Sequence, residues 1–118
     1  MSTVTLYHNP KCSKSRQALA LLQEANIELT LIEYLKTPLS VNAIKALLGA
    51  LNMDASDLLR KKEAEYVELD LANKSEADII EALHAIPKLM ERPIVLCGEY
   101  AAIGRPTENI NTFIKDCL

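Results

Sequence analysis

His8-Asn9-Pro10-Lys11-Cys12-Ser13-Lys14-Ser15-Arg16 lies between two segments of different period. On its N-terminal side, Thr3 to Tyr7 is β-branched and apolar and suits a strand. On its C-terminal side, Ala18, Leu19, Leu21, Leu22 and Ala25 recur at helical spacing among polar residues, which predicts a helix from Ser13 or Lys14 to Ala25. Cys12 therefore belongs to a strand-to-helix turn. The unpaired amides of a helix start favour a thiolate there, and Lys11 or Lys14 and a protonated His8 would add positive potential. The Ser15 hydroxyl is placed to donate to the sulfur. A lone cysteine is more often a small buried hydrophobe, but these neighbours are charged and polar.

A depressed pKa does not by itself make a catalyst. It raises the thiolate fraction but lowers intrinsic nucleophilicity, and the second effect offsets much of the first. Groups that hold an electrophile against the sulfur are needed as well.

Further along, Ile27, Leu29 and Leu31 alternate with polar residues ahead of Ile32 and Tyr34, which predicts a second strand. Strand, helix and strand within about 30 residues form a βαβ unit with parallel strands. Pro38 interrupts the pattern. Ser40 is placed to cap a helix through Leu48, Ser56 or Asp57 a short helix carrying Leu58 to Arg60, and Glu63 to Asn73 reads as acidic and irregular. Ser75 with Asp78 opens a further helix through Ile86 that Pro87 ends. Ile94–Cys97 and Tyr100–Ile103, separated by Gly98-Glu99, predict a type II′ hairpin. Pro106 suits the first position of a last helix with Ile110, Phe113 and Ile114 on its apolar face. The expected architecture is one α/β domain over 1–118: β-α-β, a helical insertion over approximately 38–87, then β-β-α, with four strands in a mixed sheet.

Composition narrows the function. A chain of 118 residues with net charge −3 is not a general nucleic-acid binder, and no apolar run suggests a signal peptide or membrane span. Three cysteines, Cys12, Cys97 and Cys117, suit a cytoplasmic protein with reduced thiols. No two form a C-x-x-C pair, so neither a zinc knuckle nor a dithiol redox motif is expected, and no metal or bound cofactor is indicated. The front motif is C-x-x-S, from Cys12 to Ser15.

The element order with a thiol in the first βα turn resembles the thioredoxin fold. His8-Asn9-Pro10-x-Cys12-x-x-Ser15-Arg16, Leu58-Leu59-Arg60-Lys61, Arg92-Pro93-Ile94-Val95 and Arg105-Pro106 resemble, in the same order, the motifs of the glutaredoxin-dependent arsenate reductase family. The resemblance covers nearly the whole chain and is specific only as a set. It implies that Cys12 attacks arsenate while Arg60, Arg92 and Arg105 hold the oxyanion, a task suited to forked guanidinium donors. Singly, Arg60 also reads as a helix-end charge, Arg92 as a strand-edge charge and Arg105 as a turn residue. The resemblance further implies that His8 helps keep the cysteine ionised, that Pro93 is a cis proline facing the thiol, and that glutathione and glutaredoxin supply electrons. Cys97 and Cys117 are not expected to resolve the adduct.

The chain ends at Leu118, soon after the last helix, as in a short-chain member lacking the C-terminal extension of well-known relatives. A thioredoxin-like regulator that binds RNA polymerase, of the Spx type, is the alternative, although Ser15 removes its usual C-x-x-C switch. A cluster-carrying monothiol glutaredoxin ranks below both because the Gly-Phe pair expected after the cysteine is absent. A phosphatase-type loop needs Cys-x5-Arg, and position 18 is alanine.

Overall fold

A computed structural model describes residues 3–117, without the side chain of Cys117, so the expectation for that thiol lies outside the described residues. The chain divides into two compact units, residues 3–37 with 92–117 and residues 38–91.

The first unit holds the sheet. Strand β1 (Val4–Tyr7) is followed by helix α1 (Ser13–Glu24) and strand β2 (Leu29–Ile32), and β1 and β2 pair in parallel from Val4 with Leu29 to Tyr7 with Ile32. Strands β3 (Ile94–Cys97) and β4 (Tyr100–Ile103) form the hairpin, and β3 runs antiparallel to β1, so the strand order is β2-β1-β3-β4. The four-stranded mixed sheet of a thioredoxin-like fold is therefore present. At the hairpin turn Gly98 has φ +59°, a conformation that costs a residue without Cβ little. Asn26, at φ 56°, turns the chain after α1, where a short polar side chain tolerates the left-handed region.

Period dictates the core. Val4 and Leu6 of β1 and Val95 and Cys97 of β3 point to one face of the sheet, where Ala18 and Leu22 of α1 and Ile110 and Phe113 of the last helix close over them. Burying these side chains is the main stabilising term of this unit. The last helix is named α5 below. It spans Glu108–Cys117, so Pro106 stands two residues ahead of it and not at its first position as expected. The Pro106 carbonyl instead accepts from the Asn109 N–H at 3.0 Å and helps close the turn that leads in.

The second unit is helical. Helix α2 (Val41–Leu51) is capped by Ser40, whose Oγ accepts from the Ala43 N–H at 3.1 Å, and helix α4 (Glu76–Ala85) by Ser75, whose Oγ accepts from the Asp78 N–H at 3.2 Å. Two segments differ from expectation. Leu58 to Arg60 carry no α-helix: a 3-10 turn runs from Ala55 to Leu58, with the Asp54 N–H donating to the Asp57 carboxylate at 3.3 Å. The stretch from Glu63 to Asn73, expected to be irregular, contains helix α3 (Ala64–Glu68) and a 3-10 turn over Leu71–Asn73. None of the α3 residues is buried, so no apolar stripe marked it in the sequence. Pro87 ends α4 as expected and begins another 3-10 turn.

Candidate active site

The turn that presents the thiol is built from backbone bonds and one buried side-chain cluster. Asn9 Oδ1 accepts from the Lys11 N–H at 3.0 Å and the Asn9 carbonyl from the Cys12 N–H at 3.0 Å, which folds Asn9-Pro10-Lys11 into a tight loop. The Cys12 carbonyl then accepts the first helical bond, from the Arg16 N–H at 3.0 Å, so Cys12 is the N-cap of α1 with extended φ −95° and ψ 124°. Arg16 ties the loop back through Nη1 to the Pro10 carbonyl at 3.0 Å.

Ser15 lies under this turn, fully buried. Its Oγ accepts from the Asn9 N–H at 3.0 Å and lies 2.6 Å from His8 Nδ1. The sequence placed that hydroxyl against the sulfur. In the structure it is engaged by His8 and Asn9, and it is the Ser15 backbone N–H that bonds the sulfur. His8 itself is buried, and burial pushes its pKa down, with Arg16 acting in the same sense against the opposing pull of Glu33. The neutral imidazole is thus favoured, and His8 reaches the thiol through Ser15 and the shape of the turn.

Cys12 is partly exposed. Burial alone pushes its thiol up, but the Ser15 N–H, the Arg92 guanidinium and the Lys14 N–H together outweigh burial and hold it below the ordinary thiol value. The helix-start amides and a fixed cation both stabilise the thiolate over the thiol.

Two of the three expected arginines lie within the first unit. Arg92 stands just before β3, and the Arg92–Pro93 peptide is cis. Arg105 lies in the turn after β4, with Nη2 3.5 Å from Cys12 Sγ and Nε donating to the Arg92 carbonyl at 2.6 Å. The Arg105–Pro106 peptide is also cis, which the sequence did not suggest. Gly104 is what lets this turn close on Pro93: its N–H donates to the Pro93 carbonyl at 2.8 Å, and a Cβ there would meet Pro93 Cγ at 2.9 Å and Ile110 Cδ1 at 2.8 Å. Asn109 Nδ2 binds the Ile103 and Arg105 carbonyls, and Thr107 Oγ1 donates to Gln17 Oε1 at 2.9 Å, so the turn is braced from α5 and α1.

Arg60 belongs to the second unit, where Nη1 pairs with Glu63 at 2.9 Å and Nε lies 3.8 Å from Glu91. Cys97 is buried on β3. Among the described residues no cluster of three or more His, Cys, Asp or Glu suited to a metal occurs, and no helix is long and apolar enough to cross a membrane. Sequence reasoning missed Gly104. Tyr34 is fully buried.

A low-pKa thiol capping the first helix of a thioredoxin-like fold, with guanidinium groups directed at the sulfur, places the chain in the class of thioredoxin-fold proteins with a cysteine in the first strand-to-helix turn. The chain belongs to the ArsC family, whose model matches residues 7–113. It is 47% identical over 110 residues to "Uncharacterized protein YfgD" of Escherichia coli K12, covering 91% of this chain and 92% of that one. It is 39% identical over 117 residues to an arsenate reductase of Neisseria meningitidis, covering 97% of this chain and 100% of that one. A solved arsenate reductase structure from Vibrio cholerae superposes with a TM-score of 0.90 at 42% identity, over 94% of this chain and 97% of that one.

Proposed function

We propose that this chain is a cytoplasmic arsenate reductase that uses glutathione and glutaredoxin as electron donors. The observation that carries the reading is the convergence of Arg92 and Arg105 on the depressed-pKa thiol of Cys12. Relatives named arsenate reductase that match along nearly the whole chain support it.

The Cys12 thiolate attacks arsenic, a sulfur–arsenic bond forms, and hydroxide or water leaves. Arg92 and Arg105 neutralise the oxyanion, which would otherwise repel the incoming thiolate, and stabilise charge as it redistributes. A glutathione thiolate then attacks the Cys12 sulfur. The sulfur–arsenic bond breaks with its electron pair left on arsenic, which goes from As(V) to As(III) and departs as arsenite. Cys12 is left in a mixed disulfide with glutathione. A glutaredoxin thiolate attacks the glutathione sulfur and returns Cys12 as thiolate, an exchange in which a low-pKa leaving thiol is an advantage. No metal or bound cofactor has a step in this sequence.

Arsenate-dependent NADPH oxidation in a coupled assay with glutathione, glutathione reductase and glutaredoxin tests the reading. Turnover lost in Cys12→Ser and strongly reduced in Arg92→Ala supports it. A folded wild type without turnover overturns it. Arg60→Ala in the same assay reports on the third arginine. A raised KM for arsenate marks it as an anion ligand, whereas an unchanged KM leaves it as the partner of Glu63 and Glu91.

A further inference from the structure

Arg105 reaches the sulfur from an exposed turn, and among the described residues no carboxylate pairs with it. A carboxylate would hold the guanidinium more strongly but would cancel the charge that a thiolate and an incoming anion need. What holds it is neutral, the Arg92 carbonyl. The aim of the guanidinium therefore depends on the backbone of its own turn, because a long side chain on a loose turn spreads over many rotamers.

Asn109, at the second position of α5, draws that backbone together. Its Nδ2 donates to the Ile103 carbonyl at 3.0 Å, at the end of β4, and to the Arg105 carbonyl at 3.2 Å, while its own N–H donates to the Pro106 carbonyl at 3.0 Å. A primary amide carries two hydrogens on one nitrogen and can serve two carbonyls at once, which a hydroxyl or a carboxylate cannot. The two carbonyls flank Gly104, whose N–H is already bound to the Pro93 carbonyl at 2.8 Å. The segment from the last residue of β4 to Arg105 is thus fastened on both sides, to α5 and to Pro93. Asn109 itself is exposed, so its side chain contributes these bonds and not core packing. We propose that Asn109 is a positioning residue of the site: its side-chain amide clamps the Ile103 and Arg105 carbonyls and so aims the Arg105 guanidinium at the Cys12 sulfur and at the anion that reacts there.

The assignment rests on the reductase reading for its consequence in turnover, but its test does not. The pH dependence of Cys12 alkylation by iodoacetamide is compared for wild type, Asn109→Ala, Arg105→Ala and the double variant, with Cys12→Ser as the blank. Alanine suits an exposed helical position, and circular dichroism checks the fold. In Asn109→Ala the alkylation midpoint rises, and the arsenate concentration that half-protects Cys12 increases about three- to tenfold, the usual worth of a hydrogen bond. In the Arg105→Ala background the same change moves the midpoint no further. An equal shift in both backgrounds overturns the assignment. So does an unmoved midpoint in Asn109→Ala, even with a lowered melting temperature, since the residue would then serve the fold alone. A wild type that never turns over arsenate overturns the reductase reading instead and leaves the alkylation midpoints to decide Asn109.

Discussion

Arg105 Nε donates to the carbonyl of Arg92 at 2.6 Å while its Nη2 lies 3.5 Å from the Cys12 sulfur. One planar fork thus joins Arg92, two residues ahead of β3, to the nucleophile, and the two arginines form a coupled pair. The backbone of one sets the side chain of the other.

Lysine cannot reproduce that geometry, because an ammonium on a flexible stem is a point charge and not a fork. Arg105→Lys is expected to lose about 1.5–3 kcal/mol of transition-state stabilisation, the usual worth of a charge-assisted hydrogen bond. Arsenate kcat/KM would then fall roughly ten- to a hundredfold. Steady-state kinetics check this, and near-wild-type kinetics would mean that charge alone suffices at position 105.

The Cys12 thiol is depressed in the folded protein, so its ionised form is bound more tightly by the native state than by the unfolded chain. That stabilisation is complete above the unfolded value, about 8.5, and is lost as pH falls through the folded value. The stability advantage of wild type over Cys12→Ser should therefore shrink as pH is lowered across that window, as read from urea midpoints. His8 acts in the same sense. Its folded pKa lies below the ordinary 6.5, so its contribution is present above that value and fades in acid. A stability difference that does not vary with pH would contradict the assigned thiolate.

Ser15→Ala strips a partner from both the Asn9 N–H and His8 Nδ1 in a fully buried place. Leaving a buried polar group unsatisfied costs about 1–3 kcal/mol, and chemical denaturation should show a loss in that range. A loss below about 0.5 kcal/mol would show that the turn does not depend on this hydroxyl.

A methyl group at Gly104 would sit 2.8 Å from Ile110 Cδ1 and 2.9 Å from Pro93 Cγ. Gly104→Ala is expected to destabilise by about 1–3 kcal/mol, as overpacking does, and to move Arg105 off the sulfur. Both a lowered melting temperature and a raised alkylation pKa at Cys12 should follow. An alanine variant with neither would mean that Ile110 and Pro93 yield freely.

The turn around Cys12 was legible because the period of the chain changes there, from apolar alternation to helical spacing. The β-α-β and β-β-α halves were legible for the same reason. The helix over Ala64–Glu68 was not, since none of its residues is buried. Arg92 and Arg105 could be named only through a family resemblance, because they are 80 and 93 residues from Cys12 and local pattern carries no information on convergence at that distance. Tyr34, an aromatic residue just past a strand, reads as core, and it is core.

Ser15, one helical turn beyond the nucleophile, keeps its hydroxyl on His8 and Asn9, and α1 contains no cysteine. Once oxidised, Cys12 has no partner on its own helix with which to close a ring. Any sulfur that restores it has to come from outside that helix. When the sulfur is on another molecule, recovery is a second-order process whose rate follows the concentration of that thiol. The throughput of the site is then set by the reducing medium around it as much as by the fold.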